Sequence, residues 1–354
     1  MTVGEAPTPS PVLQQFIAGL PKVELHVHHV GSASPRVVAE LAARHPGTVP
    51  ADPDELAAFF TFRDFGHFIE LYLATVALIK TAADVRMLTY EVATDMAAQN
   101  IRYAELTCTP HTSVLNGIPI EGYVEAIEDA RVAAERDHGI ALRWIFDIPG
   151  ELGENAAEHT IRMALENGPE ALIGFGLGGP EVGTSRARFR AVFDQARAAG
   201  LHSVPHAGET TGPQTIWDAL NYLGAERIGH GTTAVQDDRL LEHLAEQRIP
   251  LEVCPTSNVA TRAVSSYHDH PLRAMVEAGV LVTINSDDPP MFGTTLNREY
   301  AIASALLDLD AAGVADLATN AVTASFLPDT HKKSLTDQIH AHLEAHQTDL
   351  PEAD

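Results

Sequence analysis

Short runs of apolar and β-branched residues recur along the chain, and each ends in a polar or glycine-rich stretch. Between most of these runs, apolar residues return with the period of an amphipathic helix. Alternating strands and helices predict a parallel sheet, and eight such units favour a closed (β/α)8 TIM barrel of the α/β class. The predicted strands are 22–28, 101–108, 141–148, 171–178, 201–208, 227–232, 250–257 and 280–287.

An open, doubly wound sheet is the alternative fold for this pattern. Such a fold that binds dinucleotides carries a Gly-x-Gly-x-x-Gly turn after an early strand. The glycine cluster at 174–179, "GFGLGG", ends the fourth predicted strand without that spacing. We therefore favour the barrel.

The interval between the first two predicted strands is too long for one helix. It contains a phenylalanine-rich helical pattern at 54–79, which predicts a helical insertion after strand 1. Such an insertion lies over the C-terminal end of a barrel, where these folds keep their sites. We expect Phe68 and Tyr72, one helical turn apart, to form a substrate-facing wall, although most aromatic residues here also fit an ordinary core. The predicted organisation is a flexible N-terminus at 1–14, one barrel domain at 15–345 and an acidic tail at 346–354.

The charge, the N-terminal stretch and the cysteines limit the kinds of partner and the cellular location that we expect. The formal net charge of −25 over 354 residues repels nucleic-acid phosphates and anionic membrane surfaces. The start of the chain, "MTVGEAPTPSP", has neither the basic residues nor the apolar run of a signal peptide. Cys108 and Cys254 lie far apart, which argues against a disulfide framework. We expect a cytoplasmic protein with no nucleic-acid or membrane partner, and the sequence leaves open whether it forms a homo-oligomer.

Polar residues follow several of the predicted strands. His26 and His28 are two residues apart on strand 1, so both side chains point to the same side. Any one of these residues could be a loop or core residue, but the C-terminal ends of all barrel strands meet at one mouth. The residues contributed by strands 5, 6 and 8 are His206, Glu209, His230, Asp287 and Asp288.

These residues match the ligands that a catalytic zinc requires. Zinc takes three or four nitrogen and oxygen ligands and keeps a position for water. The predicted ligands are His26, His28, His206 and Asp287, which leaves Glu209, His230 and Asp288 for acid–base work and substrate orientation. None of the four lysines lies on strands 2 to 8, so no lysine can bridge two metals there. We predict one Zn²⁺ per subunit, although the sequence does not distinguish zinc from iron.

The chain resembles the adenosine deaminase family of the amidohydrolase superfamily over about residues 15–325. The resemblance rests on "PKVELHVHHVGS", "YAELTCTPH", "GFGLGGPE", "HAGE", "RIGHG", "LEVCPTSN" and "INSDDP", in family order. It implies a zinc-activated water that attacks purine C6, with Glu209 donating a proton to N1 and His230 orienting the water. It further implies that Asp288 bonds at N7 and that the N–H of Gly179 meets N3. "CPTSN" lacks the second cysteine of the cytidine-type deaminase motif, which excludes that class.

The departures from the family pattern concern the substrate. Where adenosine-specific members carry an acid that binds the 5′-hydroxyl, this chain has Val30, which strand parity would turn to the same side as His26 and His28. Gly176 and the stretch "FDIPG" at 146–150 are also unusual. Asp147 in that stretch is either a substrate contact or a loop cap.

Within the family, "HVHHVGSASP", "FDIPGE" and "INSDDPPMFGT" resemble the aminodeoxyfutalosine deaminases. This implies conversion of 6-amino-6-deoxyfutalosine to futalosine in menaquinone biosynthesis. The substrate is an adenine nucleoside whose 5′-hydroxyl is replaced by a carboxyphenyl ketone arm. Candidates to bind the carboxylate of the arm are Arg63, Arg186 and Arg262. The alternatives are an adenosine deaminase, a deaminase of free adenine and a catalytically inactive nucleoside-binding barrel.

Overall fold

A computed structural model of the protein describes residues 6–346. Eight strands form one sheet in which each strand pairs in parallel with the next strand along the chain. The strands are β1 Lys22–His28, β2 Ile101–Cys108, β3 Ala141–Pro149, β4 Leu172–Gly178, β5 His202–Ala207, β6 Ile228–His230, β7 Leu251–Val253 and β8 Val282–Ile284.

The sheet closes on itself just beyond the end of β8. Asp287 forms a parallel bridge with Val27 of β1. The N–H of His28 donates to the carbonyl of Asp287 at 2.9 Å, and the N–H of Asp287 donates to the carbonyl of His26 at 3.1 Å. The predicted (β/α)8 barrel is therefore confirmed, and the closing seam carries three of the predicted metal ligands.

Helices follow the strands and cover the outside of the barrel. The apolar periods at 35–45, 126–136 and 237–247 all fall on observed helices. The predicted insertion after strand 1 is present as two helices, Pro53–Phe59 and Phe65–Val76. The helices are α1 Pro11–Gly19, α2 Pro35–Arg44, α3 Pro53–Phe59, α4 Phe65–Val76, α5 Ala82–Ala98, α6 Pro110–Leu115, α7 Ile120–His138, α8 Gly153–Asn167, α9 Arg190–Ala198, α10 Gln214–Asp218, α11 Asp238–Gln247, α12 Pro255–Ala260, α13 Leu272–Glu277, α14 Leu296–Leu307, α15 Ala311–Ala324 and α16 Asp329–His346.

The interior of the barrel is not wholly apolar. The guanidinium of Arg227 is fully buried between the carboxylates of Glu105 and Glu252. It also donates to the carbonyl of Ala324 at 3.1 Å and lies over the ring of Phe326, 4.0 Å from its centroid. A buried guanidinium with two carboxylate partners satisfies charges that would be costly if any one of them were alone.

Several boundaries differ from the predicted ones. Strands β6, β7 and β8 have three residues each, because turns or helix α12 begin where longer strands were expected. Helix α1 begins at Pro11, inside the stretch predicted to be flexible, and residues 347–354 of the predicted tail lie outside the described residues. Among residues 6–346, no helix combines the length and apolar character needed to cross a membrane.

Candidate active site

Three imidazoles and one carboxylate converge at the C-terminal mouth of the barrel. Nε2 of His28 lies 3.2 Å from Nε2 of His206 and 3.2 Å from Oδ1 of Asp287. Nε2 of His26 lies 3.7 Å from the same carboxylate oxygen. Ligand atoms around a tetrahedral cation with bonds of about 2.0–2.1 Å lie roughly 3.3–3.4 Å apart. The ring nitrogens of the three imidazoles lie within 4.8 Å of one another, and Asp287 approaches two of these rings, so the cluster can bind a divalent cation.

Hydrogen bonds to the other ring nitrogens support the same interpretation. Nδ1 of His26 lies 2.9 Å from Oε2 of Glu252, and Nδ1 of His206 lies 3.0 Å from the carbonyl of Leu177. Because both partners are acceptors, each Nδ1 carries the proton and each Nε2 keeps its lone pair for a metal. Nε2 of His26 is buried and has no hydrogen-bond partner, as expected for an atom that binds a cation.

The charges around the cluster favour a cation as well. Burial, together with the neighbouring imidazoles, holds the pKa of His206 well below its usual value, so this ring is neutral. Burial also lowers the pKa of His28, but the negative charges of Asp288, Asp287 and Asp147 outweigh it and raise this pKa to about 10. The site therefore attracts positive charge strongly, either a proton or a metal ion.

Glu209 and His230 lie together beside the ligand cluster. Oε2 of Glu209 is 3.7 Å from Nε2 of His230, which is 3.9 Å from Oδ2 of Asp287. Burial raises the pKa of Glu209 to about 7. A carboxyl group with this pKa can act as a proton donor near neutral pH.

A chain of hydrogen bonds sets the protonation of His230. The N–H of Leu272 donates to Nδ1 of His270 at 3.1 Å, which places the proton of His270 on Nε2, 3.3 Å from Oδ1 of Asn258. The amide nitrogen of Asn258 then donates to Nδ1 of His230 at 3.1 Å. His230 therefore carries its proton on Nε2, the atom that faces Glu209 and Asp287.

Asp288 lies beside His28 and Asp287, with ligand atoms of all three within 4.8 Å of one another. Its Oδ1 is buried without a hydrogen-bond partner. A Cβ atom on Gly31 would lie 1.5 Å from this oxygen, so only glycine leaves room for the Asp288 side chain. Burial and the adjacent charge of Asp287 raise the pKa of Asp288 well above its usual value. The group is therefore a carboxylic acid that can donate a hydrogen bond.

A cavity of about 770 Å³, part of it open to solvent, lies over these residues. Helix α4 forms one wall with the side chains of Phe65, Phe68 and Tyr72, and the Phe68 ring packs 4.8 Å from that of Phe292. The cavity also brings together most residues predicted for the site, namely His28, His206, Asp287, Glu209, His230, Asp288, Asp147, Gly179, Phe68 and Tyr72.

Val30 lies elsewhere, and the strand-parity argument for it is corrected. Strand β1 ends at His28, so Val30 belongs to the following turn, where alternation no longer holds. Its side chain packs against the hydrophobic core and is not among the residues that line the cavity. A substrate contact of Val30 has no support from this placement.

The three candidate arginines are not among the lining residues either. Arg63 and Arg262 are exposed. Arg186 is buried, and its guanidinium donates to the carbonyls of His206, at 2.8 Å, and Thr184, at 3.0 Å. Arg186 therefore fixes the backbone that carries a predicted metal ligand.

Sequence reasoning missed several residues that shape the site. Glu252 orients His26, and Ser257 donates to Oδ2 of Asp287 at 2.6 Å. Glu181 accepts from the N–H groups of Gly208, at 2.7 Å, and Thr210, at 2.5 Å, and so holds the loop that presents Glu209. The "GGPE" stretch at the end of β4 was an available signal for Glu181, but no pattern near Glu252 indicated its partner.

An eight-stranded parallel barrel with this cluster at its C-terminal mouth defines a hydrolase of the amidohydrolase type. The sequence profile of the family described as "Adenosine deaminase" matches residues 21–342. The chain belongs to the adenosine deaminase family and is a deaminase by this membership, as the resemblance predicted.

Individual relatives agree with this assignment. An aminodeoxyfutalosine deaminase from Streptomyces avermitilis is 62% identical over 336 residues, which are 94% of this chain and 94% of the relative. The crystal structure of an adenine deaminase from Arthrobacter aurescens superposes with a TM-score of 0.87 at 32% identity, covering 92% of this chain and 99% of that one. An amidohydrolase from Burkhoderia ambifaria with bound zinc superposes with a TM-score of 0.88 at 26% identity, covering 98% and 100%.

Proposed function

We propose that this chain is a cytoplasmic, zinc-dependent enzyme that hydrolyses 6-amino-6-deoxyfutalosine to futalosine and ammonia, a step of menaquinone biosynthesis. The observation that carries the proposal is the 62% identity to the Streptomyces avermitilis aminodeoxyfutalosine deaminase over 94% of both chains. Identity to the adenine deaminase of known structure is 32%.

His26, His28, His206 and Asp287 would hold one zinc ion, a role supported by their spacing, by the orphaned Nε2 of His26 and by the zinc-bound relative. A zinc ion in this position supplies a water whose pKa is lowered toward neutrality. Strands β2 to β8 carry no lysine, and the ammonium of Lys22 on β1 donates to the carbonyls of Ile17 and Leu20, which favours one metal over two.

Glu209 is the proton donor to purine N1 in this proposal. Its raised pKa of about 7 leaves it partly protonated at neutral pH. Protonation of N1 withdraws electrons from C6 and makes that carbon a better target for water. His230 presents an Nε2–H toward the same region, where it can orient the attacking oxygen by donating a hydrogen bond.

Two further groups of the protein can donate hydrogen bonds to the purine nitrogens N7 and N3. The protonated carboxyl of Asp288 can donate to N7, which is an acceptor only. Gly179 has a φ of +80° and lines the cavity, so its backbone N–H can approach N3 without a side chain in the way. These contacts hold the purine with C6 toward the metal cluster.

The wall of Phe65, Phe68 and Tyr72 suits the aryl part of the 5′ arm. Stacking of aromatic rings adds favourable contacts beyond the burial of their area. No lysine or arginine of the described chain lines the cavity, so we place the carboxylate of the arm toward the solvent-open end.

A comparison of kcat/KM for aminodeoxyfutalosine, adenosine and adenine tests the substrate. We expect aminodeoxyfutalosine to exceed adenosine by about tenfold or more, because adenosine lacks the aryl contacts. A higher value for adenosine or adenine would contradict the proposed substrate and leave the deaminase assignment intact. Absence of turnover with all three, in zinc-loaded enzyme, would support the inactive binding barrel.

A further inference from the structure

The cavity contains a carboxylate that the proposed chemistry does not use. Asp147 lies on β3, is 3% exposed and lines the cavity. Its Oδ1 is buried and has no hydrogen-bond partner. Native proteins rarely leave a buried acceptor unpaired, so an unpaired acceptor on a side chain that lines a cavity indicates a donor on the ligand.

The neighbouring strand is built around this side chain. Asp147 pairs in register with Gly176 of β4. A Cβ atom on Gly176 would lie 2.6 Å from Oδ1 of Asp147, and one on Gly178 would lie 2.5 Å from Oδ2. Two glycines on one strand thus leave the space that the carboxylate occupies. This explains the unusual Gly176 and the "FDIPG" stretch together.

Glu151, four residues after Asp147, is another acidic residue that lines the cavity. Its Oε2 lies 2.3 Å from the position that a Cβ atom on Gly179 would take, and the residue is exposed enough for water to satisfy it. Asp147 lacks that option. Of the two, Asp147 is therefore the acceptor that needs a ligand group.

The chemistry of the substrate leaves one class of donor. The 6-amino group is the leaving group at the metal cluster, and the ring nitrogens N1, N3 and N7 are acceptors. The ketone and the ionised carboxylate of the 5′ arm are acceptors as well. Only the 2′- and 3′-hydroxyls of the ribose remain as donors for a carboxylate.

We propose that Asp147, in the space left by Gly176 and Gly178, binds a ribose hydroxyl of the nucleoside and so selects ribonucleosides over deoxynucleosides and the free base. The inference rests on the proposed function for the substrate class. It concerns the sugar and not the 5′ arm, so the two can fail separately.

The test compares kcat/KM for adenosine, 2′-deoxyadenosine and 3′-deoxyadenosine in three proteins: the wild type, D147A and D147N. Burial raises the pKa of Asp147 to about 7, so the assays are run above this pH, where the group is ionised. In the wild type, at least one deoxy form should then lose about tenfold or more relative to adenosine, the effect of losing a hydrogen bond to a charged group. D147A should abolish most of this discrimination, and D147N should reduce it. Metal content and thermal melting of each variant establish that it is folded.

Glu154 provides the matched control. It lies on α8 just after the same loop, is exposed and pairs with Arg188 at 3.0 Å, away from the cavity. E154Q should keep the wild-type ratios. Equal turnover of adenosine and both deoxy forms by the wild type, or wild-type ratios in D147A, would overturn the proposal even if aminodeoxyfutalosine is the preferred substrate. If aminodeoxyfutalosine is rejected while D147A loses the ribose preference, only the proposed function fails.

Discussion

At the scale of single residues, burial raises the pKa of the two carboxyl groups that we propose as proton donors. Glu209 and Asp288 both lie in the barrel mouth away from bulk water, and desolvation disfavours their charged forms. The pKa of Asp287, the residue before Asp288, is instead lowered. Burial would raise its pKa, but a hydrogen bond from His28 and the positive charge of that imidazole hold it well below the usual range. Adjacent aspartates are thereby suited to the opposite roles that we propose for them, Asp288 as an acid and Asp287 as a metal ligand.

The raised pKa of Glu209 predicts the pH dependence of the reaction. Protonated Glu209 is the active form, so kcat/KM should be highest below pH 7 and fall as the pH rises through about 7. E209Q should lower kcat by about 10²-fold or more, the usual contribution of a general acid, while retaining the metal. The measurement is a pH profile of kcat/KM together with metal analysis.

A surface variant serves as the control for this substitution. E166Q replaces an exposed glutamate on α8 and should keep both the rate and the pH profile. Turnover by E209Q within a few-fold of the wild type would show that Glu209 is not the donor.

At the scale of elements, the sequence predicted the barrel well because strand and helix periods are local properties. The first four strands were placed within one or two residues. The predictions were less accurate where site residues follow a strand. His230, the last residue of β6, has a left-handed φ of +63°, and Asp287, which follows the end of β8 at Ile284, has a φ of +64°. A rule of alternation cannot foresee such breaks, and the error at Val30 has the same origin.

The buried charges were beyond sequence reasoning for a different reason. Glu252 and Arg227 are 25 positions apart, and Arg227 and Glu105 are 122 apart, so no local pattern pairs them. The site residues themselves were predictable because strand ends share one mouth of a barrel. Their partners, which approach from the barrel interior, became apparent only in three dimensions.

The turn after β1 yields a prediction at the same scale. In G31A, the new methyl group would overlap Oδ1 of Asp288, which must move. A displacement of about 1 Å in an active site can cost roughly 10²-fold in rate, so we expect a loss of that order in kcat/KM. G47A is the matched control, since a Cβ at this exposed glycine meets only the carbonyl of His45 at 3.8 Å. Equal rates in G31A and the wild type would show that Asp288 need not stay in place.

At the scale of the whole molecule, closure of the barrel creates the site. Asp287 comes from the end of the barrel segment and His26 and His28 from its beginning, and hydrogen bonds across the seam hold them together. Metal binding at the seam should therefore link the two ends of the barrel. Since the cation binds the folded state only, it should also stabilise the fold.

Metal analysis of the purified enzyme, with activity measured before chelation, after chelation and after zinc is restored, tests the account most directly. We predict about one zinc per chain, loss of turnover and a lower melting temperature on removal, and recovery of both on addition. H26A, which lacks one of the four proposed ligands, should bind zinc more weakly. Full deaminase activity in protein free of transition metals would contradict the assignment of His26, His28, His206 and Asp287 as ligands of a catalytic cation.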